Sequence, residues 1–83
     1  MEKTISTSKG EIKIKELTLD EGLDMDQTGD AKEKTYKFVI KCIEPKLTID
    51  EIKQLSFREG LLLINTVNEV NGLSDFQNPT IKN

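Results

Sequence analysis

The sequence predicts a mainly α-helical fold: a small domain of about four helices, preceded by an N-terminal β-strand or hairpin. Two observations predict the helices: four separate helix-start signals, and apolar residues that recur at helical spacing after them. A third observation, the alternation of apolar and polar residues in GEIKIKEL, predicts the strand. A chain of 83 residues has room for one domain with one modest core.

The N-terminal residues 1–16 are predicted to be extended. Residues 4–7, which precede a turn-forming Ser-Lys-Gly, are a candidate hairpin partner for GEIKIKEL. Because a lone hairpin is unstable in water, it has to pack on the helices. We therefore expect a single domain over residues 1–73. The polar remainder, residues 74–83, is expected to form a flexible tail.

Each helix-start signal places a capping side chain three residues before a glutamate. The capping oxygen accepts from the amide of the third helical residue, and the glutamate reaches back to the amide of the cap. The glutamate charge also suits the positive end of the helix dipole. The four pairs are Thr18 with Glu21, Asp30 with Glu33, Thr48 with Glu51, and Ser56 with Glu59. They predict helices at about residues 18–27, 30–43, 48–54 and 56–71.

Two helix ends are also visible. Pro45 ends the second helix, because its ring disfavours helical geometry at Glu44. Asn71-Gly72-Leu73 is typical of a Schellman ending, in which the glycine adopts left-handed geometry and the leucine folds back onto the helix.

The second and fourth predicted helices have the widest apolar faces. Apolar side chains share one stripe over residues 36–43 and another over residues 57–70, where Leu62 and Leu63 widen it to about half of the circumference. A helix this apolar is either central in the core or partly reserved for another molecule. The residues predicted to contact a partner are Tyr36, Phe38, Phe57, Leu61, Leu62 and Ile64. Ordinary core packing is the alternative for each of them.

Charge and hydropathy argue against several functions. The net charge is −3, so the chain as a whole does not attract nucleic acid or an anionic membrane. From Glu16 to Asp30 there are six acids and no Lys or Arg, and lysines follow. We interpret this asymmetry as a solvated dipolar surface, with a steering patch as the alternative. No apolar run is long enough to span a bilayer and no signal peptide is evident, so a cytoplasmic protein is expected.

No catalytic centre and no cofactor are predicted. The chain contains no histidine, which removes the commonest general base and the commonest metal ligand. The single cysteine, Cys42, lies in the apolar run FVIKCI and is interpreted as a small core residue rather than a nucleophile. The glycines are scattered, so no phosphate-binding loop is present. We therefore expect a protein that is not an enzyme.

The stretch DMDQTGDAKEKT, which begins at Asp24, has the acids and the glycine of a calcium-binding EF-hand loop at its first, third, sixth and seventh positions. Its twelfth position is Thr35, where such a loop needs a bidentate glutamate, and its ninth is Lys32. We predict a turn in which Asp30 caps the second helix and Gly29 provides the bend. A calcium site is the alternative.

Residues 36–73, YKFVIKCIEPKLTIDEIKQLSFREGLLLINTVNEVNGL, resemble the small tail assembly chaperones of long-tailed bacteriophages and related prophages of Gram-positive hosts. The pattern is an apolar helix ending in Ile-Glu-Pro, LTIDE opening a short helix, a Leu-Ser junction, and a long apolar helix closing with Asn-Gly-Leu. GEIKIKELTLDEG matches the strand and first helix that usually precede this pattern. The resemblance therefore covers roughly residues 10–73.

The resemblance implies a non-enzymatic and transient assembly factor. Such chaperones bind the long tape-measure protein, keep it soluble and extended, and recruit subunits of the tail tube (the major tail protein). They act in the host cytoplasm and leave before the virion is mature. An apolar groove between helices is the expected client site, and self-association stays open. The alternative function is a small regulatory interaction module that inhibits or adapts a host factor.

Overall fold

The computed structural model describes residues 1–73, and the expected tail at residues 74–83 lies outside the described residues. The chain begins with a hairpin in which β1 (Glu2–Thr7) pairs antiparallel with β2 (Gly10–Lys15). The register places Ile5 opposite Ile12, so both side chains reach the same buried face of the sheet. The predicted N-terminal hairpin is confirmed.

A third strand, which the sequence did not indicate, completes the sheet. β3 (Ile43–Glu44) pairs antiparallel with β2, so that the strand order is β1-β2-β3 and β2 is central. Ile43 had been predicted as the last residue of the second helix. Extended geometry is favoured at Glu44 because Pro45 follows it, and the β-branched Ile43 fits a pleated strand better than a final helical turn.

The mainly α fold class predicted from the sequence is therefore wrong. Within residues 1–73, four helices accompany a three-stranded antiparallel sheet, which makes this a small compact α+β domain. The hairpin is not an accessory to a helical bundle, because Ile12, Ile14 and Ile43 are almost completely buried and form one wall of the core. The pairing of β3 with β2 joins distant parts of the chain, and no local pattern encodes it.

The helices are α1 (Leu19–Leu23), α2 (Ala31–Cys42), α3 (Ile49–Lys53) and α4 (Phe57–Val70). Each begins after its predicted cap, whose side-chain oxygen accepts from the amide three residues on. The prediction for α1 was too long. None of residues 19–23 is buried, so no packing stabilises a continuation of α1 into the polar sequence that follows.

α4 ends in the predicted Schellman motif. The amide of Leu73 donates to the carbonyl of Asn68 at 2.7 Å, and the amide of Gly72 donates to the carbonyl of Glu69 at 3.1 Å. Gly72 has a φ of 73°, in the left-handed region that favours glycine. The carbonyls of Asn68 and Glu69 are therefore paired beyond the last turn of the helix.

The core lies between the sheet and α4. α4 packs on β1 and β2 and also contacts α2, which in turn packs against α3. The fully buried side chains of α4 are Leu63 and Val67, and those of α2 are Val39 and Cys42. One side of α4 is thus covered by the sheet, and another is only partly covered by α2. No helix in residues 1–73 is both long enough and apolar enough to cross a membrane.

Candidate protein-docking surface

α4 presents apolar side chains on more sides than the core can cover. Successive helical residues are separated by about 100°, so Leu61, Leu62 and the core-facing Leu63 point in three different directions, and the core covers only Leu63 completely. The exposed fraction is 42 % for Leu61, 47 % for Leu62 and 82 % for Phe57. Phe57 and Leu61 lie on the side of α4 that faces α2 and α3.

The first groove, which we call the α3–α4 groove, lies where α2, α3 and the start of α4 meet. It has a volume of about 220 Å³. Four of the predicted contact residues line it: Tyr36, Phe57, Leu61 and Ile64. The ammonium of Lys53 lies 5.8 Å from the centre of the Tyr36 ring, a cation–π contact that restrains the ring at the side of the groove.

Gly60 is a residue of this groove that the sequence reasoning missed. It lies within α4 and lines the α3–α4 groove, and a methyl group in place of its hydrogen would meet no atom within 4 Å apart from its chain neighbours and the backbone of its own helix. Glycine inside a helix lowers helix stability by about 0.5–1 kcal/mol relative to alanine. A glycine within the helix predicted over residues 56–71 was the signal in the sequence that could have marked this residue.

The second groove, which we call the α2–α4 groove, has a volume of about 410 Å³. Phe38 of α2 and Ile64 of α4 are the predicted contact residues that line it, and Met25 and Leu73 also line it. Ile64 lines both grooves, so the two grooves adjoin at this residue. Together they form one apolar surface along the side of α4 that the sheet leaves uncovered.

Leu62 is the one predicted contact residue that lines neither of these two grooves. It lies on the other exposed side of α4, where Lys3 of β1 forms an ion pair of 2.9 Å with Glu69. The hydroxyl of Thr66 donates to the carbonyl of Leu62 at 2.7 Å. A partner that occupied both grooves would therefore not have to touch Leu62.

The loop between α1 and α2 is held against α2 by Lys37. Its ammonium contacts the carboxylate of Asp26 at 3.0 Å and donates to the carbonyl of Thr28 at 2.9 Å. The hydroxyl and the amide of Thr28, and then the Lys37 ammonium, hold the pKa of Asp26 well below its ordinary value. The predicted turn is confirmed: Asp30 caps α2, and Gly29 has a φ of 99°.

This geometry bears on the calcium alternative for the loop. Of the two acids that would begin an EF-hand, Asp26 already has the cationic Lys37 as its partner. The carboxylate of Asp30 accepts from the amide of Glu33, as a helix cap does. The carboxylates of Asp26 and Asp30 thus hold α2 and its preceding turn together. In residues 1–73, no group of three His, Cys, Asp or Glu side chains is placed to hold a metal ion.

Cys42 is a core residue, as predicted. Its side chain is fully buried, and burial raises the pKa of the thiol above its ordinary value. The side-chain amide of Asn71 donates to the sulfur at 3.6 Å, which only partly offsets the effect of burial. Burial of the thiol therefore favours its protonated form.

Two long-range contacts that hold the surface together were not foreseen. Glu59 was predicted to reach back to its own cap, Ser56, but its carboxylate accepts from the amide of Ser8 at 2.8 Å and from the hydroxyl of Ser8 at 3.0 Å. These bonds tie the hairpin turn to the start of α4 and lower the pKa of Glu59. The side chain of Asn71 accepts from the amide of Leu17 at 2.8 Å, which ties the start of α1 to the end of α4.

Comparisons of the chain with protein-family models, with curated proteins and with solved structures found no match. The feature of residues 1–73 that bears on function is the pair of adjoining apolar grooves beside α4.

Proposed function

We propose that this chain is a non-enzymatic tail assembly chaperone of a long-tailed phage or prophage. In this role it holds the tape-measure protein in the host cytoplasm, recruits the major tail protein, and leaves before the virion matures. The observation that supports a docking role is the apolar surface formed by the two adjoining grooves, beside which Phe57 is 82 % exposed. The resemblance of residues 36–73 supplies the identity of the client.

The shape of the surface favours a helical client. The grooves follow one side of α4, whose 14 residues span about 21 Å, so the surface matches about four turns of a bound helix. An amphipathic helix places apolar side chains at intervals of three and four residues, which suits two pockets that meet at Ile64. Phe57 and Tyr36 are the aromatic side chains best placed to anchor such a helix, because large aromatic residues dominate binding energies.

The same arrangement explains how client binding can leave the fold unchanged. The buried side chains of α4, such as Leu63 and Val67, point to the sheet, and the groove residues point elsewhere. A client helix would cover Phe57 and Leu61, whose apolar surface the fold leaves in contact with water. Release of the client returns the domain to the state described here, which suits a transient factor.

Co-expression with the tape-measure protein of the same phage genome tests the proposal, with soluble yield and co-purification as the measurements. Leu61→Asp places a charge in the α3–α4 groove and is expected to abolish both effects. Leu62→Asp is the matched control, because Leu62 is equally exposed but lies on the other side of α4. We expect Leu62→Asp to keep client binding and a native circular dichroism spectrum.

Three results would contradict the proposal in different ways. If the wild-type chain neither solubilises nor co-purifies with the tape-measure protein, the chaperone role is wrong, and the regulatory interaction module becomes the better hypothesis. If Leu62→Asp abolishes binding and Leu61→Asp does not, the client uses the side of α4 next to β1 instead of the grooves. If Leu61→Asp unfolds the chain, Leu61 belongs to the core.

A further inference from the structure

α1 exposes two leucines that add nothing to the core. The exposed fraction is 79 % for Leu19 and 77 % for Leu23, and none of residues 19–23 is buried. The two leucines are four residues apart, so they lie one above the other and form a short apolar ridge on the helix. Among the large hydrophobic side chains of residues 1–73, only Phe57 is more exposed. The fold alone gives no reason for this ridge.

α4 begins with the same local pattern in a different setting. LTLDEGL at residues 17–23 is echoed by LSFREGL at residues 55–61, so Phe57 and Leu61 occupy the positions that Leu19 and Leu23 have in α1. In α4 these positions line the α3–α4 groove, together with residues of α2 and α3. In α1 they line neither of the two grooves on α4. The α1 ridge projects from the domain on a separate surface.

The ridge is nevertheless held rigidly enough to bind. Thr18 and Glu21 form a complete capping box, with hydrogen bonds of 3.1 Å and 2.9 Å. Lys15 of β2 forms an ion pair of 3.9 Å with Glu21, and the amide of Leu17 donates to Asn71. α1 is therefore fixed to β2 at its start and to α4 through Asn71. A preorganised helix loses less conformational entropy when a partner binds to it.

The charge around the ridge selects the chemistry of its partner. From Glu16 to Asp30 the chain has six acids and no Lys or Arg. Most of these acids have partners within the chain, but the side chains of Asp20 and Asp24 make no hydrogen bond or ion pair with residues 1–73. Both are exposed and lie on α1 or directly after it, beside Leu23. The surface is thus an apolar ridge bordered by two carboxylates that have no Lys or Arg partner within residues 1–73.

We propose that the Leu19–Leu23 ridge is a second docking surface, and that its partner is a basic amphipathic helix of another polypeptide. The apolar stripe of that helix covers the two leucines, and its Lys or Arg side chains pair with Asp20 and Asp24. An acidic helix would be repelled by these carboxylates, as would nucleic acid or an anionic membrane. The ridge does not belong to the grooves on α4, so this proposal stands independently of the chaperone role.

Two synthetic peptides test the proposal against the full-length chain. Both are helical and share the same leucine stripe, but one carries lysines beside the stripe and the other carries glutamates. We expect the lysine peptide to bind about tenfold or more tightly than the glutamate peptide, with a preference that fades as salt screens the exposed pairs. Amide shifts in the NMR spectrum should concentrate at residues 19–24.

Variants of the ridge give the controls. The double variant Leu19→Ser, Leu23→Ser should lose about tenfold or more in affinity for the lysine peptide, because the apolar contact is removed. Its circular dichroism and melting temperature should be unchanged, because neither leucine is buried. The double variant Asp20→Lys, Asp24→Lys should reverse the preference and bind the glutamate peptide more tightly.

Several outcomes would overturn the proposal. Equal binding of both peptides to the wild-type chain would exclude charge selection by α1. Amide shifts confined to the grooves on α4 would show that the peptides bind elsewhere. Unchanged binding by the serine double variant would remove the ridge from the site. A salt-sensitive dimer that the serine double variant abolishes would assign the ridge to a second copy of this chain in place of another polypeptide.

Discussion

Gly60→Ala is expected to stabilise the domain and, at the same time, to weaken client binding in the α3–α4 groove. The added methyl group would meet no atom within 4 Å, so it introduces no clash. Replacing a helical glycine by alanine lowers the conformational entropy of the unfolded chain and should stabilise the fold by about 0.5–1 kcal/mol. For a domain of this size the melting temperature should rise by roughly 2–8 °C. The same methyl group occupies part of a groove of about 220 Å³ and should weaken client binding.

Gly60→Ala is expected to raise the stability of the fold and to lower the affinity for the client, so the two effects can be measured separately. Thermal unfolding followed by far-UV circular dichroism measures the first, and co-purification with the tape-measure protein measures the second. Gly22→Ala is the matched control, because Gly22 has the same place in the echoed pattern of α1 and is also bordered by open space. We expect Gly22→Ala to leave client binding unchanged while not lowering the melting temperature.

The two ways in which the Gly60→Ala prediction can fail have different meanings. A lower melting temperature would show that the space beside Gly60 is filled, and the groove as described would be wrong. A higher melting temperature with unchanged client binding would show that the groove exists but that the client does not enter it. Only a gain in stability together with a loss of binding supports the α3–α4 groove as the docking site.

Two further predictions concern the long-range contacts. Asn71→Ala should destabilise the fold by about 2 kcal/mol in urea unfolding, because the amide of Leu17 loses its acceptor. Asn65 is exposed, so the control variant Asn65→Ala should change the stability by about 0.5 kcal/mol at most. Equal losses in the two variants would refute the role of Asn71. Hydrogen bonds from Ser8 lower the pKa of Glu59 below its ordinary value of 4.5. The charged carboxylate therefore stabilises the fold fully at a pH above 4.5, and this contribution is lost as the pH falls through the lower pKa of the folded state. Glu59→Gln should therefore reduce stability at pH 7 and flatten the decline of the urea midpoint below pH 4.5; an unchanged decline would contradict it.

The features that could be predicted from the sequence are those written within a few residues. A capping box spans four residues, a Schellman ending spans six, and a hairpin turn spans two, so each leaves a readable local pattern. All four helix starts and the N-terminal hairpin were predicted in this way and are present. The extent of α1 was not, because helix length depends on how much of the helix is buried against the rest of the fold.

The features that could not be predicted join distant parts of the chain. The pairing of β3 with β2, the bond from Ser8 to Glu59 and the bond from Leu17 to Asn71 all connect the first 17 residues to the second half of the domain. Glu59 illustrates the limit well. Its local pattern predicts a reciprocal bond with its own cap, but the hairpin turn brings Ser8 close enough to compete for the same carboxylate.

The candidate site shows the same limit in a different form. Periodicity identified an apolar stripe covering about half of α4, which includes both Leu61 and Leu62. A stripe of that width has two sides, and periodicity alone does not say which of them meets the rest of the protein. In the structure Leu61 lines a groove with α2 and α3, whereas Leu62 lies next to the β1 side. The distinction depends on where the sheet lies.

The sheet, whose third strand the sequence did not indicate, therefore also positions the proposed docking surface. In a bundle of four helices, every helix packs its apolar stripe against neighbouring helices. Here β1 and β2 cover the side of Leu63 and Val67, and α2 and α3 close only part of the opposite side. Phe57 and Leu61 are left in contact with water because no helix remains to cover them. The position of the sheet thus decides which part of the apolar stripe of α4 stays exposed.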